Sequence, residues 1–189
     1  MIFPKIKFLY SPIYDCVLTE YEGKRFNENQ KKEVENYIQK LQIKWREVEK
    51  PVLEFLLKTL NSKWNGKEIT CYVVKHFRIS GISHPLTLKM TRNVEEGLSN
   101  LIHELIHIFL PLKKWEKISQ KLIKKFPEER PEIILHIYVN FVQLQVLKKF
   151  FKKALVKRML KKYKRFKRTG KAWEIVLREE KNLKKLLKN

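Results

Sequence analysis

Asn100-Leu-Ile-His103-Glu104-Leu-Ile-His107-Ile-Phe-Leu110 is the stretch from which the rest of this chain is read. It is an H-E-x-x-H sequence set among apolar helix formers. In a helix His103 and His107 fall one turn apart on one face, the spacing that a tetrahedral zinc ion needs from its first two imidazole ligands. Leu98, Leu101, Leu105, Ile108 and Leu112 repeat at helical intervals, and Ile102, Ile106 and Phe109 fill the flank. The helix is therefore apolar nearly all round and expected to be buried. Burying Glu104 without compensation would cost several kcal/mol, whereas a cation with its bound water accounts for both histidines and the glutamate together.

Upstream, Asn93 offers an N-cap, Glu95 and Glu96 suit the positive end of the helix dipole, and Pro111 ends the element. Before the helix lies the region that reads as sheet. Ile69 to Phe77 is rich in β-branched and aromatic residues, Ser80-Gly81 makes a turn, and Pro85 to Met90 alternates apolar with polar. The reading is a small antiparallel sheet, with Pro85 favouring an edge position because proline donates no ladder hydrogen bond.

Two histidines do not complete a catalytic zinc site; a third protein ligand is required. No histidine continues the motif on its own helix, since Pro111 intervenes. Downstream, Trp115 to Phe126 reads as a short amphipathic helix, and Pro131 starts another that runs to about Phe151. On the latter, Glu132, His136 and Asn140 form one stripe at i, i+4 and i+8. His136, inside Ile133-Ile-Leu-His-Ile-Tyr-Val, is expected to face the interior and is the first choice of third ligand, with Glu132 the alternative. The other reading of His136 is a core histidine bonded to Asn140 or a backbone carbonyl. His76 and His84 read as surface or cleft residues.

His103-Glu-Leu-Ile-His107, preceded by a short sheet and followed by a helix with a candidate ligand, resembles the zincin metallopeptidases. The likeness is to a small gluzincin-type core over roughly residues 69 to 145. The resemblance implies Zn²⁺ as cofactor and a peptide or protein as substrate. Glu104 would be the general base on a zinc-bound water, and an extended substrate would be held along the strand from Pro85 to Met90. Tyr138 and His84 are the candidates for stabilising an oxyanion. A glutamate-bearing ligand helix of the usual pattern is absent; Glu132, His136 and Asn140 stand in its place.

Outward from this core, residues 1–66 read as an N-terminal helical scaffold, 67–147 as the zincin-like core, and 148–189 as basic C-terminal helices, all in one domain. Phe8, Leu9, Tyr10 and Ile13 look buried in an irregular arm or short helix. A long helix from Asn27 or Asn29 to about Val48 follows, then a second from Val52 to about Leu60 after Pro51, ended by Asn65-Gly66. Between Lys148 and Lys171 fall thirteen lysines and arginines and no acid, interleaved with Phe150, Phe151, Ala154, Leu155, Met159, Tyr163 and Phe166. This segment reads as amphipathic helices with a solvated cationic face, as a surface for nucleic acid, or as one for anionic membrane. Trp173, Val176, Leu177, Leu183 and Leu187 then repeat at helical spacing.

At 189 residues, 43% hydrophobic and 33% charged, the chain is long enough to bury a sizeable core and too apolar for a disordered one. A formal charge of +22 predicts attraction to nucleic acid or another polyanion. Richness in lysine and glutamate with five glycines resembles a thermophile composition. Cys16 and Cys71 carry no metal-type spacing, and two cysteines make no disulfide framework. No signal peptide or membrane span is legible, so a cytoplasmic protein is expected. The rival to the peptidase reading is a basic helical nucleic-acid-binding or structural protein with a coincidental or inactive motif.

Overall fold

In the computed structural model, which describes residues 3–66, 68–163 and 170–187, the chain is predominantly helical with one small sheet. The order is β1 (Lys5–Leu9), α1 (Pro12–Tyr21), α2 (Asn29–Leu60), β2 (Glu68–Val74), β3 (Gly81–Ser83), β4 (Leu86–Lys89), α3 (Val94–Phe109), α4 (Leu112–Lys125), α5 (Pro131–Phe150), α6 (Lys153–Tyr163) and α7 (Gly170–Leu186).

The sheet is mixed, which corrects the expectation of an antiparallel one. Its strand order is β1-β2-β4-β3, with β1 and β4 both parallel to β2 and only β3 antiparallel, to β4. The N-terminal arm supplies a strand: Ile6 and Phe8 are buried opposite Ile69 and Cys71 while Lys5 and Lys7 face out, the period-two pattern of a half-buried strand. Pro85 does not mark an edge. It lies in the turn before Leu86, outside the ladder, so its missing N–H costs nothing and β4 sits between β2 and β3. The edge strand on that side is β3, and Gly81, expected in a turn, is its first residue.

The N-terminal scaffold also departs from expectation. Instead of two helices there is one of 32 residues that runs through Pro51. The apolar stripe Val34, Ile38, Leu41, Trp45, Val52, Leu56 and Leu60 continues in phase across the proline, all of it buried. Burial of that stripe outweighs the roughly 3 kcal/mol that an interior proline costs. The helix ends at Asn61, whose left-handed backbone caps it, four residues before Asn65, where a turn was expected. Asp15, the only aspartate in the chain, is buried and ties α1 to the sheet: its carboxylate accepts from the Lys75 backbone N–H at 2.7 Å and from the Tyr10 hydroxyl at 3.2 Å. Ile13, expected inside, is 79% exposed.

Helix α3 lies between α2, the β3–β4 hairpin and α5. Asn93 caps it through a 2.9 Å bond from the Glu96 N–H, as its sequence predicts. Gly97 permits the close crossing with α2, since a methyl there would overlap the Tyr37 hydroxyl. Helix α5 is buried from Ile133 to Leu147 on nearly every side and packs on α3, α2, α4 and α7. The described part of the basic segment forms the end of α5, α6 and the start of α7, turning Val156, Met159 and Tyr163 inward and Lys153, Lys157, Lys161 and Lys162 out; Phe166 lies outside the described residues. One continuous core runs from Ile6 on β1 to Leu183 on α7. Among the described residues no helix is long and apolar enough to cross a membrane.

Candidate metal centre

Three histidines converge where α3 crosses α5. One ring nitrogen each from His103, His107 and His136 lies within 4.8 Å of the others, the one such cluster of His, Cys, Asp or Glu among the described residues. His103 Nε2 and His107 Nε2 are 3.3 Å apart. Two nitrogens bound at 2.0–2.1 Å to a tetrahedral ion stand about 3.3–3.4 Å apart, so the α3 pair already has the ligand separation of zinc. The His136 ring stacks on His103 and meets His107 edge-on, each with centroids 5.5 Å apart, and closes the third side.

Hydrogen bonds select which nitrogen of His103 and of His136 is free. The Gln143 amide nitrogen donates to the Ser99 carbonyl at 2.8 Å and to its hydroxyl oxygen at 3.0 Å. This turns the Gln143 carbonyl oxygen to His103, where it accepts from Nδ1–H at 3.0 Å and leaves Nε2 unprotonated toward the cluster. The Tyr163 hydroxyl donates to Ser99 Oγ at 2.6 Å, so α6 braces the same chain of bonds. His136 Nδ1–H donates to the Glu132 carbonyl at 2.8 Å, which likewise frees its Nε2.

Burial keeps the His103 and His107 rings neutral. Desolvation, followed by the neighbouring histidines, lowers the His103 pKa to about 3; desolvation with His136 and His84 lowers that of His107 to about 4. Neutral imidazoles present lone pairs, the form in which histidine ligates a metal. The donor set, its spacing and the tautomers of His103 and His136 thus fit a divalent zinc ion.

Glu104 follows His103 directly on α3. It is 7% exposed, and burial alone raises its carboxyl from an ordinary 4.5 to about 8. Its Oε1 presses against the edge strand, 3.1 Å from where a β-carbon on Gly81 would sit, so only glycine fits there without displacement.

The other candidates fall elsewhere. Glu132 is exposed in the first turn of α5 and serves through its backbone carbonyl, its carboxylate lying outside the cluster. Asn140 is fully buried, but neither amide atom has a partner among the described residues, so it is not what holds His136. Tyr138 lies two residues from His136 and hence on the opposite side of α5, buried at 3% exposure and away from the cluster. His84, in the β3–β4 turn with its Nδ1 3.1 Å from Ser83 Oγ, is not one of the converging ligands but is near enough to His107 to help lower its pKa, whereas His76 pairs with Lys24 at 3.1 Å in an exposed contact apart from the three histidines. The sequence reading missed Gln143, Ser99 and Tyr163 as supports. A signal existed for Gln143, which continues the stripe of His136 and Asn140 at i+7 inside an otherwise apolar helix.

Comparison with protein-family models, with curated proteins and with solved structures finds no match, so the functional reading rests on the geometry of the centre itself.

Proposed function

We propose that this chain is a zinc-dependent peptidase in which His103, His107 and His136 hold the metal and Glu104 is the general base. The observation that carries the reading is the convergence of three ring nitrogens within 4.8 Å, with a buried glutamate next in sequence to the first of them. Zinc, when bound, supplies a water acidified toward neutral pH and polarises the scissile carbonyl. Three protein ligands leave a tetrahedral ion one position for that water.

The remaining chemistry belongs to the chain. Glu104 accepts the proton from the attacking water and returns it to the departing amine; a carboxyl displaced toward neutrality by burial suits both transfers. Gln143 and the Glu132 carbonyl hold the rings of His103 and His136 in register. An extended substrate pairs with the outer edge of β3 rather than with β4, since β3 ends the sheet and Gly81 lies against Glu104. The strongly basic surface, +22 formally with Lys148–Lys171 its densest stretch, favours acidic substrates or polyanionic surroundings such as nucleic acid.

The test is metal content followed by hydrolysis. Purified protein carries about one zinc per chain, as a site with three protein ligands requires, and His107→Ala loses it. Glu104→Gln retains zinc and loses cleavage of an unstructured peptide substrate. Protein that takes up no zinc at neutral pH refutes the reading, and full activity in Glu104→Gln refutes the assigned base.

A further inference from the structure

A groove of about 710 Å³ opens between the end of α5, α6 and α7. Its floor is apolar: Phe151, Val156, Leu160 and Leu177. Its rim is cationic, formed by Lys148 on α5 and by Lys153, Lys157 and Lys161 on α6. Lys148 is engaged with Glu180 at 2.6 Å. Among the described residues no acidic side chain pairs with Lys153, Lys157 or Lys161, and all three are exposed.

The arrangement of these charges selects the occupant. Lys153, Lys157 and Lys161 stand at i, i+4 and i+8, which spaces them about 6 Å apart along about 12 Å of groove. A single-headed amphiphile concentrates its charge at one end and leaves such a row unmatched. A duplex phosphate backbone repeats its charge but keeps its bases inside, and the unpaired bases of a single strand, which bind by stacking on aromatic rings, meet a floor that is aliphatic except for Phe151. A second copy of this chain brings another +22 of like charge. An amphipathic helix matches both features: acids at i, i+4 and i+8 share the 6 Å repeat, and apolar residues on the adjoining stripe reach the floor.

We propose that the α5–α6–α7 groove docks an acidic amphipathic helix of another protein, its carboxylates along Lys153, Lys157 and Lys161 and its apolar stripe on Phe151, Val156, Leu160 and Leu177. The groove is a recognition surface separate from the histidine centre, and the inference stands whether or not that centre hydrolyses peptides.

Fluorescence anisotropy on the full chain tests it. The probe is a labelled helical peptide of about 16 residues, or about 24 Å, with leucines on one stripe and glutamates at every fourth position beside it. Saturable binding is expected, weakened about tenfold or more by Lys153→Glu/Lys157→Glu/Lys161→Glu, as reversing a complementary rim implies. The equal charge change Lys31→Glu/Lys32→Glu/Lys40→Glu, at exposed positions of α2, leaves binding within about twofold because none of those side chains lines the groove. A scrambled peptide of the same composition binds at least about tenfold more weakly, having lost its apolar stripe. The proposal is overturned by absence of saturable binding, by equal losses in the two triple variants, or by equal binding of the scrambled peptide. It is also overturned if phosphatidylglycerol vesicles or single-stranded DNA depend on the rim lysines while the peptide does not. Circular dichroism of both triple variants confirms that they are folded.

Discussion

Glu104→Gln separates burial of the base from its chemistry. In metal-free protein the native carboxyl titrates near 8 and the unfolded one near 4.5, so between these values the native state binds more protons. By linkage, stability then falls as pH rises across that interval. Each pH unit over which the unfolded group is charged and the native one is not is worth about 1.4 kcal/mol. Across the full interval this amounts to several kcal/mol, and the slight exposure of the group and relaxation around it bring the expectation to about 2–4 kcal/mol. His103 and His107 act in the opposite sense, since their lowered values make the unfolded state bind more protons from about 6.5 downward. They are common to both proteins and cancel in the difference. The assay is urea unfolding of wild type and Glu104→Gln at steps from pH 4.5 to 8 in the presence of a chelator. The variant should match wild type at the acid end and exceed it by about 2–4 kcal/mol at pH 8, a gap that bound zinc narrows by favouring the ionised carboxylate. A difference that stays flat with pH would mean an ordinary, solvated carboxylate and would refute the burial on which the base assignment depends.

Two further substitutions probe the supports. Gln143→Leu removes the acceptor that holds His103 Nδ1–H and should weaken zinc binding by about 10–100-fold in a competition titration with a chromophoric chelator; unchanged affinity would mean that packing alone orients the ring. Asn140→Leu replaces a fully buried amide with two unpartnered atoms and should raise the unfolding free energy of metal-free protein by about 1–3 kcal/mol. A loss of stability there would show that the amide is satisfied in solution.

The local chemistry of the site helix was legible from its residues. Asn93, Glu95, Glu96 and Pro111 bound it, its apolar flanks bury it, and the four-residue spacing of His103 and His107 puts both on one face, because each of these depends on neighbours within a few positions. The α+β, mainly helical class followed in the same way from periodicity. The sheet did not. Parallel pairing of β1 with β2 joins residues more than sixty positions apart, and nothing in Lys5–Leu9 names its partner. Pro51 read as a break because propensity is local, whereas the burial that overrides it is collective.

For the third histidine, the sequence by itself determined a stripe of three polar residues on a buried helix, Glu132, His136 and Asn140. Only the tertiary structure decided among them. The crossing of α3 over α5 sets which turn of α5 faces the motif, bringing in His136, leaving the Glu132 carboxylate outside and recruiting Gln143 to orient His103. Crossing position comes from side-chain interdigitation along two whole helices and the short crossing that Gly97 allows with α2, quantities that no five-residue motif contains.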